Sequence, residues 1–138
     1  MKFEIDLSKG LGELKFGMSP NEVESILGSD QCFEEWMGGN LEAYYLYKGL
    51  IIGFCGGESE EPDTNSKVCI FTVKPTHSLI LCGIDISHLD RDEIIIILDS
   101  IGISHKVLDN GIVQSESGKL QINFTVDGML DELYFEQH

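Results

Sequence analysis

Arginine is almost missing from this chain. Arg91 is its single guanidinium, and lysine raises the basic residues to only 9, against 24 aspartates and glutamates. Over 138 residues the balance is −15. Phosphate contacts carry most nucleic-acid affinity and come from Lys and Arg, so the composition argues against a nucleic-acid reader. It argues equally against electrostatic binding to an anionic membrane surface. The counterpart that such a charge attracts is a basic protein, because acidic fields steer basic partners at high rates. Solubility is the other use of the same charge.

Long apolar runs are missing too. The longest, residues 94–98, is far too short to cross a bilayer. Residues 1–10 alternate polar and apolar side chains and lack the apolar stretch of a secretory signal. No two of the four cysteines, Cys32, Cys55, Cys69 and Cys82, form a CxxC pair, so the usual zinc spacing and the thioredoxin motif are absent. Cys55 and Cys69 stand in apolar, strand-like runs. They are expected to be buried, reduced thiols, and the cytoplasm is the expected location.

What the chain does have is a 42% share of hydrophobic residues, enough for a core in one domain spanning residues 1–138. A helix start occurs twice. Met18-Ser19-Pro20-Asn21-Glu22-Val23 aligns with Leu89-Asp90-Arg91-Asp92-Glu93-Ile94. In each, an N-cap (Ser19, Asp90) is followed three residues later by Glu22 or Glu93, which completes a capping box. An apolar residue before each cap, Met18 or Leu89, can staple onto Val23 or Ile94. Gly28 and Gly102 are the expected stops. The second helix is apolar on nearly every side (Ile94, Ile95, Ile96, Ile97, Leu98, Ile101), which predicts burial between layers.

Four strand candidates follow each helix: residues 31–36, 41–47, 50–55 and 67–73, then 103–109, 112–116, 119–126 and 129–136. Asn110-Gly111, Ser117-Gly118 and Asp127-Gly128 are hairpin turns, since Gly and Asn accept positive φ. Leu120, Ile122, Phe124 and Val126 alternate with polar residues and predict one buried face. Residues 3–7 are expected to add an edge strand. The expected fold is therefore α+β, with two similar halves (about 14–74 and 84–136). Each half is one helix followed by a four-stranded antiparallel meander, and the two pack around a shared core.

The catalytic inventory is thin. His77, His88, His105 and His138 are scattered, and no HExxH, GxSxG, P-loop or GxGxxG is present. Asp90, Asp92 and Glu93 do not have EF-hand spacing, and charge at a helix N-terminus accounts for them. No catalytic residue, cofactor or metal site is expected. Two acidic clusters are better candidates for binding. Glu58, Glu60, Glu61 and Asp63 crowd residues 56–65 (GGESEEPDTN), a long connection of the kind that is often functional. Glu34 and Glu35 precede Trp36, the single tryptophan, a residue type favoured as a binding anchor. Tyr45 is a second aromatic candidate.

The stretch Leu14-Lys15-Phe16-Gly17-Met18-Ser19-Pro20-Asn21-Glu22-Val23 resembles the FGM-S-xx-EV start of small bacterial helix-sheet domains. Phe124-Thr125-Val126-Asp127-Gly128-Met129-Leu130-Asp131-Glu132-Leu133 resembles the F-xx-DG-xL-xx-I/L hairpin of bacterial immunity proteins from contact-dependent and polymorphic toxin systems. The first motif also opens outer-membrane assembly lipoproteins, whose lipoprotein signal and early Cys have no counterpart here. Two helix-plus-four-strand units resemble the Whirly fold of single-stranded nucleic-acid binders, a ligand that the charge argues against. The immunity-protein resemblance implies a non-catalytic cytoplasmic protein that binds a cognate basic toxin, an RNase or DNase, and occludes its active site. On that expectation Glu34, Glu35, Trp36, Tyr45, Glu58, Glu60, Glu61 and Asp63 are the toxin-binding candidates. Two other classes remain: a cytosolic adaptor or structural domain, and an enzyme using carboxylate or cysteine chemistry.

Overall fold

The structure is a computed structural model and describes residues 2–28, 32–33, 43–47, 49–57, 64–76 and 78–137, with the backbone alone described at 32–33 and 43–47. In chain order its elements are β1 (Lys2–Asp6), β2 (Gly10–Leu11), β3 (Leu14–Lys15), α1 (Pro20–Leu27), β4 (Cys32–Phe33), β5 (Ala43–Tyr47), β6 (Leu50–Cys55) and β7 (Lys67–Val73). There follow β8 (Ser78–Leu81), β9 (Ile84–Asp85), α2 (Arg91–Ser100), β10 (His105–Val107), β11 (Val113–Ser115), β12 (Leu120–Phe124) and β13 (Leu130–Glu136).

Both helices start at the caps read from the sequence. The Glu22 amide donates to Ser19 Oγ at 3.3 Å and the Ser19 amide donates to the Glu22 carboxylate at 3.2 Å. The Glu93 amide donates to Asp90 Oδ1 at 2.9 Å and the Asp90 amide returns the bond to Glu93 at 3.2 Å. Each box satisfies two amides that a helix start otherwise leaves orphaned. Ser19→Ala and Asp90→Ala are each expected to lower stability by about 0.5–2 kcal/mol. Urea midpoints check this, and unchanged midpoints would mean that the caps are idle.

The end of α2 is a Schellman turn. Gly102 takes φ +79°, its amide donates to Asp99 O at 3.2 Å, and the Ile103 amide donates to Leu98 O at 3.0 Å. This returns Ile103 to the core, against which it packs. The expectation that α2 is buried on all sides is corrected. Ile94, Ile97 and Leu98 are buried, whereas Ile96 is 66% exposed. A helix lying on one side of a core buries one stripe, whatever the composition of its other faces.

The protein is α+β and mostly sheet, with two helices and two sheets among the described residues. The larger sheet has the order β10-β11-β12-β13-β7-β6-β5-β4, and every neighbour is antiparallel. The smaller sheet, β3-β2-β1-β8-β9, was not foreseen. The N-terminal strand lies in its middle rather than on the edge of a meander, pairing antiparallel with β2 and parallel with β8. Phe3 and Ile5 are buried while Lys2, Glu4 and Asp6 are exposed, and this alternation holds β1 on the core. Gly10 is required where β2 meets β3, because a Cβ there would lie 2.2 Å from the Leu14 carbonyl oxygen.

One apolar cluster joins the two sheets and the helices. Phe71 of β7 is fully buried, with ring centroids 5.3 Å from both Phe16 and Phe135. Phe16 leads into α1, so this trio ties the segment before the helix to the seam where β7 meets β13.

Two further expectations are corrected. Val126 is wholly exposed, at 106%, because the register shifts at Asn123 and Phe124 and the chain then turns. The Gly128 amide donates to Thr125 O at 2.9 Å and the Thr125 amide to Met129 O at 2.8 Å, which places Val126 at the tip. Cys55 and Cys69 are not buried thiols but a disulfide, with Cα atoms 6.0 Å apart. Cys55 is exposed and Cys69 half-buried. The register shifts between Gly53↔Ile70 and Phe54↔Val68, so Cys69 falls in the bulge and its sulfur reaches across to Cys55. Free thiols were a ground for expecting the cytoplasm, and that ground is gone.

Candidate binding surface

Of the candidates read from the sequence, Glu34, Glu35, Trp36, Glu58, Glu60, Glu61 and Asp63 lie outside the described residues. At Tyr45 the backbone is described; it pairs in register with Ile52, which is fully buried. Cys55 at the end of β6 is bonded to Cys69 in β7, so the disulfide closes the neck of the connection that carries the 58–63 acids.

The structure gathers acids that are far apart in the chain. In a meander, alternate turns lie at the same end, so the turns at Gly111 and Gly128 fall together and the turn at Gly118 falls opposite. The start of α2 docks on the first pair. The Arg91 amide donates to Gly128 O at 2.9 Å, and the Leu130 amide donates to Leu89 O at 3.1 Å. The Arg91 guanidinium carbon sits 5.1 Å from the Phe124 ring centroid, a cation–π contact. Asp90, Asp92 and Glu93 therefore share one end of the molecule with Asp109 and Asp127 of the two turns, and Val126 and Met129 stand exposed beside them. Read along the chain, these acids look like separate local features. The paired Asn-Gly and Asp-Gly turns, one strand pair apart, were the available signal that they meet.

Acids elsewhere are also at the surface. None of the described aspartates or glutamates is buried. Few have a basic neighbour among the described residues: Lys74 lies 3.5 Å from Glu132 and 4.0 Å from Asp131, and Lys119 lies 2.8 Å from Glu136. Asp85 is held by hydroxyls instead. The Ser87 hydroxyl and amide and the Ser78 hydroxyl donate to its carboxylate and hold its pKa down at about 2. Tyr134 donates to Glu136, and partial burial with that carboxylate beside it raises the phenol above its ordinary range. His105 Nδ1 lies 3.0 Å from Ile103 O and 3.8 Å from Asp99. Among the described residues no group of three His, Cys, Asp or Glu side chains is placed to hold a metal, and no helix is long and apolar enough to cross a membrane.

No protein-family model, curated protein or solved structure matches the chain.

Proposed function

We propose that this chain is a binding protein that captures a basic protein domain, a nuclease toxin of the kind the immunity-protein resemblance implies, and neutralises it by covering the cleft that holds phosphates. The observation that carries this reading is the surface charge. A balance of −15 is carried by side chains of which none described is buried and few are matched by a base. Like charges held together on a surface repel one another, and a basic partner relieves that repulsion while gaining a steered approach. An adaptor whose charge serves solubility is the second reading.

We read the two halves as one plan used twice. Met18 O accepts from the Val68 amide at 2.9 Å, and Leu89 O accepts from the Leu130 amide at 3.1 Å. Each helix is thus anchored, just before its cap, to the start of the fourth strand after it, which supports the repeat. A nuclease attacks cytoplasmic nucleic acid, so the functional reading puts the chain in the cytoplasm; the Cys55–Cys69 bond pulls the other way.

The test is capture at low and physiological salt, with mass spectrometry of what is held, followed by association rates for the purified partner. A small basic nuclease domain is expected, with a rate that falls about tenfold or more over that salt range. Replacing Glu58, Glu60, Glu61 and Asp63 with neutral residues should slow association and flatten its salt dependence. A rate indifferent to both salt and these substitutions would leave the charge a matter of solubility.

A further inference from the structure

Two clefts open beside the end of α2 that lies away from the acidic turns. One, of about 280 Å³, lies beside the Ser117–Gly118 turn and is floored by Leu7, Ile103, Leu120 and Phe135. The other, of about 680 Å³, lies along β1 and the turn between β8 and β9, and its lining includes Ile101. Leu7 and Ile103 line both, so the two clefts adjoin, and together they make up the groove. Ile103 is there because the Schellman turn brings it back, and Leu7 because β1 ends beside it.

The groove's rim is acidic. Glu116 and Glu136 stand at the smaller cleft and Glu4 and Asp6 at the larger. Lys119 is engaged with Glu136 at 2.8 Å, and the Asp6 carboxylate already accepts from the Ser8 amide and hydroxyl with Lys9 nearby, which leaves Glu116 and Glu4 as the more open acids. The C-terminal end of a helix carries partial negative charge, and the last turn of α2 has no basic residue to offset it. An apolar floor under a negative rim suits one kind of occupant. A small apolar ligand would leave the rim unused, and a second copy of this chain would bring another −15 toward it.

We infer that this groove is where the basic partner docks, with an apolar side chain seated on Leu7, Ile103, Leu120 and Phe135 and flanking lysines or arginines reaching Glu116 on one side and Glu4 and Asp6 on the other. The inference rests on the basic-partner reading and adds its place. An apolar anchor in a water-excluding pocket with a charged rim is the common layout of a binding hot spot.

The test uses the full chain and defined peptides, followed by amide chemical shifts. The probe is a capped peptide with a leucine pair between paired lysines; the comparisons replace the leucines with glycine, or the lysines with serine or glutamate. The dileucine-lysine peptide should shift the amides of Leu7, Ile103 and Lys119, and loss of the leucines should weaken it about tenfold. Glu4→Lys with Glu116→Lys, both at exposed positions, should weaken it about tenfold as well, whereas Glu24→Lys on α1 should not. Shifts confined to other surfaces, with Glu24→Lys as damaging as the groove pair, would overturn the groove and leave the basic-partner reading standing. Equal binding of the serine peptide would overturn the charged rim and make the groove a site for apolar ligands. Binding of the glutamate peptide alone would overturn both.

Discussion

Phe71→Ala is expected to cost about 3–5 kcal/mol, the range for truncating a buried aromatic. The ring is wholly out of water and touches Phe16 and Phe135, at 5.3 Å in each case. Its removal loses the transfer of the ring from water and leaves a cavity, because neighbours close only part of such a space. The position magnifies the effect: β7 is the strand through which the first four strands of the large sheet join the second four. A domain of this size has about 5–15 kcal/mol of stability in total, so the variant should be marginal at room temperature. Urea unfolding followed by circular dichroism measures it. Phe71→Leu, which keeps most of the volume, should lose clearly less. If the alanine variant costs no more than the leucine variant, the aromatic trio is not the centre of the core.

Opening the Cys55–Cys69 bond is expected to cost about 3 kcal/mol, the chain-entropy figure for a loop of this length. The two residues are 14 apart, and the bond denies the unfolded chain the freedom of the segment between them. Unfolding with and without a dithiol reductant measures the difference, and Cys55→Ser with Cys69→Ser should reproduce it. Native protein under non-reducing conditions should have a mass two units below that of the reduced chain, while Cys82, free and exposed, labels quickly. Labelling of Cys55 and Cys69 without reductant, or an unfolding midpoint indifferent to reductant, would contradict the bond. A bond that forms in purified protein and is absent from protein quenched in cells would agree with the cytoplasmic reading.

What was legible in the sequence has a common character. Ser19 with Glu22, Asp90 with Glu93 and the glycines at 102, 111, 118 and 128 act within a few residues of themselves. Their hydrogen-bond partners are fixed by spacing, so the helix starts and hairpins could be placed before any tertiary contact was known. The candidate site was hardly legible. Its named residues lie outside the described residues, apart from the backbone of Tyr45, and the groove was not foreseen at all. Leu7 and Ile103 look like ordinary ends of apolar segments until a turn and a parallel strand bring them together.

By itself, then, the sequence determined the excess of negative charge, the caps and the tight turns, since each depends on composition or on neighbours in the chain. Tertiary structure decided the parallel pairing of β1 with β8, the bulge that aligns Cys55 with Cys69, the exposure of Ile96 and Val126, and the docking of Arg91 on the turns at Gly111 and Gly128. A strand's alternation says which of its faces is buried but not which strand lies beside it. An apolar helix likewise does not say how many of its sides meet a core. Those choices are made by how the whole chain buries its apolar surface, and they are invisible to any local pattern.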